Sequence, residues 1–260
     1  SALLLAACGV APRELMSVAN RVRKMFDLDA VPAEINGVFA RDKRFFKLVD
    51  FNPGQRLPGG WDPFETAVRA VVGQQISVKA ATTVMGKIVE LYGEGGLLDD
   101  GSSLAEGSLL ADGSTRCFPT PDRLAEIVAD SLLADGSLPM PSARAATIGR
   151  LAQQVRDGQV SFDATQKASD FIASLTAIKG IGPWTAQYIA MRALGDPDVF
   201  LPGDLVVKKS AARRLGIATE QKLIARAEAW RPWRAYAVMH LWRTAAKAPR
   251  VTVPNKRQGS

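Results

Sequence analysis

Histidine, cysteine and long apolar runs are all scarce in this chain of 260 residues. The lone histidine, His240, excludes a multi-histidine metal centre. Two cysteines, Cys8 and Cys117, cannot form a disulfide framework, which fits a reducing cytoplasm. Nor can two thiols hold a four-cysteine iron–sulfur cluster. No apolar run is long enough to cross a bilayer, so no membrane partner is expected. Leu3–Cys8 is too short for that, and no basic residue precedes it as a signal peptide requires. Strand-like alternation is rare as well. Apolar residues recur at helical spacing, which predicts an all-α fold. The chain opens with Ser1 rather than methionine, compatible with a fragment or a trimmed start.

Positive charge, by contrast, is in excess. The net charge is +7, and residues 97–140 hold eight acids against two bases, which leaves +13 on the remainder. A basic body suits a polyanion, because each phosphate it neutralises releases counterions. Charge alone decides little, since many proteins this basic never touch nucleic acid. The acidic stretch contains three tandem six-residue units, 97–102, 103–108 and 109–114, with a further copy at 132–137. Such repeats read as expansion of a tolerant surface loop, and an acidic loop should face away from any polyanion the basic body binds. Small stacked metal-binding turns are the other reading, but the glycine-aspartate pattern of calcium-binding repeats is missing.

The pattern predicts helices over Arg13–Met25, Asp62–Val72, Val78–Leu91, Asp122–Ala129, Ala143–Asp157, Ser169–Ile178, Pro183–Leu194, Leu205–Arg214, Thr219–Ala229 and Arg234–Ala245. Asp62-Pro-Phe-Glu65 has a cap, a proline at the first helical position and an acid three residues on. The expected organisation is two helical lobes with a cleft between them. Residues 12–60 and 200–248 form one lobe, and residues 61–199 form the other. Residues 1–11 are an N-terminal remnant, and the basic tail 249–260 is expected to be disordered.

The most informative segment is Leu175-Thr-Ala-Ile-Lys-Gly-Ile-Gly-Pro-Trp-Thr-Ala-Gln-Tyr-Ile-Ala190, followed by Val199-Phe-Leu-Pro-Gly-Asp204. It reads as helix, tight glycine turn, helix, then one carboxylate a short loop later. Gly180 and Gly182 flank Ile181 and let the backbone turn and expose its amides. Those amides precede the helix that begins at Pro183, where free N–H groups and the helix dipole favour a phosphate. Local pattern alone leaves Asp204 equally fit to cap the next helix or to act in chemistry.

This segment resembles the hairpin of the helix-hairpin-helix (HhH-GPD) family of DNA glycosylases, of the bacterial 3-methyladenine DNA glycosylase II type. Further matching stretches are RKMFDLDAVPAEI, RLPGGWDPFETAVRAVVGQQISV, ARAATI, DVFLPGDLVVK and WRPWRAYAVMHLW, in family order from Arg21 to Trp242. The resemblance implies a base-excision enzyme acting on duplex DNA, a monomer needing no cofactor. The family's N-terminal β domain is expected to be absent, or vestigial around Ala2–Ala7.

By that resemblance Asp204 is the catalytic carboxylate, stabilising the sugar cation while water attacks. Trp184, Tyr188 and Trp242 line the base pocket, beside Leu205 at a position that is aromatic in some relatives. Electron-rich rings attract a base made positive by alkylation. On spacing alone, ordinary core packing is the favoured explanation of these aromatics, and it is the family position that reverses this. Gln74 and Gln75 belong to the wedge loop, with Gln75 filling the gap left by a flipped base, where a plain polar turn is the bland reading. Lys179, Gly180, Ile181, Gly182 and Thr185 form the phosphate-binding hairpin, and Lys208, Lys209 and Arg213 are further phosphate contacts or merely solvated charges. The backbone carbonyls of Thr176, Ile178 and Ile181 would hold a cation such as Na+ or Mg2+. Relatives that also cut the backbone carry a lysine where this chain has Trp184, so no Schiff base can form there. Enzymes tuned to deaminated bases, and a non-catalytic DNA-binding hairpin, are the alternatives. Retention of Asp204, Trp184 and Trp242 speaks against the latter.

Overall fold

The computed structural model describes residues 3–7, 10–95, 116–129, 138–163 and 165–245. The six-residue repeats, Cys8 and the basic tail lie outside the described residues. Twelve α-helices are found among those described: α1 Leu15–Met25, α2 Pro32–Phe39, α3 Lys43–Val49, α4 Pro63–Val72, α5 Val78–Tyr92, α6 Pro121–Ala129, α7 Ser142–Arg156, α8 Ala168–Thr176, α9 Pro183–Ile189, α10 Leu205–Leu215, α11 Glu220–Ala227 and α12 Arg234–Ala245. Among the described residues the sheet content is one antiparallel pair, β1 Glu94–Gly95 with β2 Arg116–Cys117, flanking the segment that carries the three tandem repeats. Residues 3–7 form no strand and are exposed.

Two elements, α2 and α3, were not legible as helices. Each is under three turns long, too short for apolar periodicity to mark it; Pro32 opens the first and Asp42 caps the second. Asp42 caps α3 by accepting from Phe45 N at 3.1 Å, and its carboxylate also takes Arg226 Nε at 2.6 Å and Trp230 Nε1 at 3.1 Å. Burial pushes this carboxyl up, but the Arg226 hydrogen bonds, the Phe45 amide and Trp230 outweigh that and hold it below its usual value. One side chain thus ties the N-terminal segment to the C-terminal helices.

Helix α4 sits at the centre because it is apolar on nearly every face. Phe64, Ala67, Val68, Ala70, Val71 and Val72 are all buried. It packs on α5, α7, α9 and the π-helical turn Ala190–Leu194 that continues α9. Asp62 caps it through Glu65 N at 2.7 Å, as its Asp-Pro-x-Glu start predicts. A second group of contacts joins α10 with α12, α3 and α11, and one hydrophobic core runs through both groups.

Asp27 supplies another long-range link. Its φ of +52° turns the chain after α1, and its Oδ2 accepts from Leu57 N and Tyr236 Oη, each at 2.8 Å. Burial raises its pKa, opposed by the Leu57 amide, the Tyr236 hydroxyl and Arg56. The result seats the Leu57–Gly60 loop against α1 and α12. That loop borders the site described next.

Candidate active site

The loop after the π-helical turn delivers Asp204 as the N-cap of α10, its Oδ1 accepting from Val207 N at 2.8 Å. Capping therefore fixes where the carboxylate stands. It does not exhaust it. Oδ1 also accepts from Trp242 Nε1 at 3.0 Å, and Oδ2 from Trp184 Nε1 at 3.0 Å. Asp204 is 8% exposed. A carboxylate offers roughly four lone-pair directions, so three N–H donors lock its orientation while leaving acceptor capacity for a reacting group. An aspartate needed only as a cap requires neither indole.

The two tryptophans come from opposite ends of the site, Trp184 from the first turn of α9 and Trp242 from the last turns of α12. Tyr188, one turn after Trp184, stacks on it with centroids 5.4 Å apart and 17° between planes. Tyr188 also meets Trp242 at 6.2 Å. Three rings predicted to line one pocket are thus brought together around the predicted acid. Trp184 remains 36% exposed, with one ring face taken by Tyr188. Leu205 follows Asp204 but is 61% exposed and stands outside the ring cluster.

Beside the rings lies a cavity of about 390 Å³ bordered by Trp61, Pro58, Tyr188 and Arg192. Arg192 holds its guanidinium 5.7 Å from the Tyr188 centroid and 5.8 Å from that of Trp242. Sequence reasoning missed both Trp61 and Arg192. Helical spacing gives no sign of the π turn that sets Arg192's direction, and Trp61 lies in a loop without periodicity.

In the hairpin, Gly180 has φ +104°, whereas Gly182 has an ordinary φ of −84° and serves as the N-cap of α9. Only the first glycine is demanded by conformation. A Cβ at Gly180 would lie 2.0 Å from Thr147 Oγ1, a donor to Lys179 O at 3.3 Å, while Arg150 Nη1 reaches the same carbonyl at 3.0 Å. Lys179, Gly180 and Gly182 are exposed, but Ile181 is buried and anchors the turn. Thr185 is also buried, its Oγ1 accepting from Gln74 Nε2 at 3.1 Å, so its side chain is occupied inside rather than facing a phosphate. Gln74 Nε2 further donates to Gly180 O at 3.2 Å. Gln74 therefore ties the expected wedge loop to the hairpin and is not itself turned outward. Gln75 is exposed and held at φ +58°, a left-handed conformation uncommon for a residue with a side chain. Arg144 Nη2 braces this loop through Gln74 O at 2.6 Å.

The further basic candidates differ in state. Lys208 pairs with Glu220 at 3.4 Å and Arg213 donates to Thr244 O at 2.7 Å, whereas Lys209 is exposed on α10. Among the hairpin carbonyls, that of Ile178 accepts from Ile181 N at 3.0 Å. No cluster of three or more His, Cys, Asp or Glu suited to a metal occurs among the described residues.

Residues 68–235 match the model of the HhH-GPD superfamily of base excision DNA repair proteins. The chain belongs to the HhH-GPD superfamily. Residues 3–62 match the AlkA N-terminal domain, although here they form α1–α3 and connecting loops with no strand among the described residues. A Mycobacterium tuberculosis protein named as a probable bifunctional transcriptional activator/DNA repair enzyme AlkA is 40% identical over 89% of this chain, which spans 43% of that protein. The chain therefore covers less than half of that relative. DNA-3-methyladenine glycosylase 2 of Escherichia coli is 35% identical, over 88% of this chain and 72% of its own length. A Bacillus halodurans DNA-3-methyladenine glycosidase structure shares 27% identity at a TM-score of 0.64, over 84% of this chain and 91% of that one. The 3-methyladenine DNA glycosylase of Archaeoglobus fulgidus, at 22% identity and a TM-score of 0.69 over 90% and 75% of the two chains, shares the HhH-GPD fold.

Proposed function

We propose that this chain is a monofunctional DNA glycosylase that hydrolyses the bond between deoxyribose and alkylated bases, 3-methyladenine and related purines, in duplex DNA. The observation that carries the reading is the Asp204 carboxylate, held by the Trp184 and Trp242 indoles within an aromatic wall. The names of the relatives, 3-methyladenine glycosylases among them, support it.

The geometry divides the work as follows. The hairpin amides around Gly180 and Gly182, with Lys179, grip the backbone phosphate. Gln75, already strained and exposed, enters the duplex and hydrogen-bonds the base left without a partner. The flipped base stacks on Trp184, Tyr188 and Trp242. An alkylated purine is positively charged, so it is drawn to the ring faces and departs without an acid. As the bond breaks, positive charge builds on the sugar next to Asp204. A fixed carboxylate stabilises that charge without reorganising and positions the attacking water on the opposite side from the leaving base.

Trp184 stands where a Schiff-base lysine would be needed and is already bonded to Asp204, which supports hydrolysis alone, leaving an abasic site. The chain acts as a cytoplasmic monomer on nucleoid DNA. The carbonyls of Thr176, Ile178 and Ile181 offer neutral oxygen donors with no carboxylate among them, fitting a weakly held Na+ or Mg2+ that screens the phosphate rather than a resident metal.

The test is direct. Methylated duplex DNA incubated with the protein should yield free 3-methyladenine and alkali-labile sites. Absence of free base sinks the glycosylase reading. Strand cleavage before alkali, with nuclease excluded, overturns the monofunctional part.

A further inference from the structure

The aromatic wall that should receive a cationic base already carries a cation. Arg192 lies in the π-helical turn Ala190–Leu194, an insertion that rotates the following residues out of helical register. Its Nη1 donates to Pro58 O at 2.6 Å, and its own carbonyl lies within 3.2 Å of where a Cβ on Gly59 would sit. The guanidinium is thereby held over both Tyr188 and Trp242.

Its charge is not paired. The acids bordering the two cavities that Arg192 lines are engaged elsewhere: Asp27 with Leu57 and Tyr236, Asp29 with Arg23, Asp62 with the Glu65 amide, and Glu65 with Arg69. Among the described residues no carboxylate is within ion-pair distance of Arg192. The guanidinium faces the rings and the cavity.

We propose that Arg192 is the specificity-determining residue for the charge of the excised base, an inference that rests on the glycosylase reading above. A cationic base competes with the guanidinium for the negative ring faces and is repelled by it. A neutral base meets no such competition. As it leaves, it takes the electron pair of the glycosidic bond and gains negative charge, which the guanidinium stabilises. Arg192 therefore raises excision of uncharged purines relative to charged ones, so that one pocket handles both.

Single-turnover rates on duplexes carrying hypoxanthine or 7-methylguanine test this with Arg192→Met and Arg192→Lys. Methionine keeps the apolar stem and loses the charge, while lysine keeps the charge. The neutral-to-cationic rate ratio should fall about tenfold in Arg192→Met and stay within about twofold of wild type in Arg192→Lys. A ratio unmoved in Arg192→Met, even with both rates lowered together, overturns the proposal and leaves Arg192 a structural residue. An equal shift in both variants overturns it too, because charge is then not the cause. A second readout needs no catalysis: binding of 7-methylguanosine, at mildly acidic pH where it is cationic, against inosine, followed by quenching of the pocket tryptophans. Arg192→Met should tighten the former relative to the latter, and no relative change counts against the proposal. Failure of wild type to release any base rejects the glycosylase reading, and the binding ratio still decides Arg192.

Discussion

Alanine at Gly180 should damage the hairpin in a way that alanine at Gly182, two residues on, does not. Gly180 adopts φ +104°, where a side chain is strained by about 1–3 kcal/mol. The new Cβ would sit 2.0 Å from Thr147 Oγ1 and 3.0 Å from both Thr147 Cβ and Cγ2. Thr147 lies mid-helix in α7 and cannot retreat without giving up its bonds to Ala143 O at 2.9 Å and Lys179 O at 3.3 Å. Each such bond contributes roughly 1 kcal/mol. The combined expectation is about 3–5 kcal/mol of lost stability, against a typical domain total of roughly 5–15 kcal/mol. Gly182, with φ −84° and no atom within 4 Å of a Cβ, should lose no more than about 1 kcal/mol on replacement by alanine, the cost of a poorer helix cap. Urea denaturation of the two variants measures the difference, and affinity for undamaged duplex reports the phosphate grip. Gly180→Ala combined with Thr147→Ala should regain the steric part but not the backbone strain. Equal stability of Gly180→Ala and Gly182→Ala within about 1 kcal/mol would refute the turn geometry on which the proposed phosphate site depends.

Two further outcomes follow from side-chain contacts. Trp242→Phe keeps a ring on α12 but removes the N–H that holds Asp204 Oδ1. Loss of a hydrogen bond to a charged group predicts a rate lowered about ten- to hundredfold with melting temperature nearly unchanged, and a wild-type single-turnover rate would contradict it. His240 is buried between α12 and the Phe39 and Phe45 rings with Nε2 unpartnered, and burial, aided by Arg243, lowers its pKa to about 4. The unfolded chain binds the proton first, so the stability from a neutral His240 is complete above pH ~6.5 and lost as pH falls toward 4, by about 3 kcal/mol. His240→Leu should flatten urea stability over that window, and parallel pH curves for variant and wild type would exclude His240 as the group.

The legible parts of this molecule are those written locally. The Asp62-Pro-x-Glu cap, the glycine hairpin and the amphipathic helices announce themselves within a few residues. Asp204 as an N-cap is equally local, and the resemblance added the chemistry that spacing could not. What stayed hidden depends on distance or on register. Asp42 finds its partners Arg226 and Trp230 at separations of 184 and 188 residues, and nothing near Asp42 marks it as more than a turn acid. Gln74 and Gln75 are chemically identical neighbours, yet one turns in to Thr185 and the other stays exposed because only Gln75 takes a positive φ. Gly180 and Gly182 read as a symmetrical pair, and only Gly180 requires its missing side chain. Arg192 escaped notice because the π-helical turn breaks the periodicity that assigns a helical residue its face.

The claim at the centre is that the charge of Asp204, and not merely its shape, drives bond cleavage. Asparagine at this position can still cap α10 and still present an oxygen to an indole, so the fold should persist. Single-turnover release of 3-methyladenine by Asp204→Asn, with affinity for duplex DNA measured alongside, tests this. The account predicts a rate lowered by about a hundredfold or more with affinity retained. Release at the wild-type rate with unaltered binding would show that Asp204 is a helix cap and that the chemistry lies elsewhere.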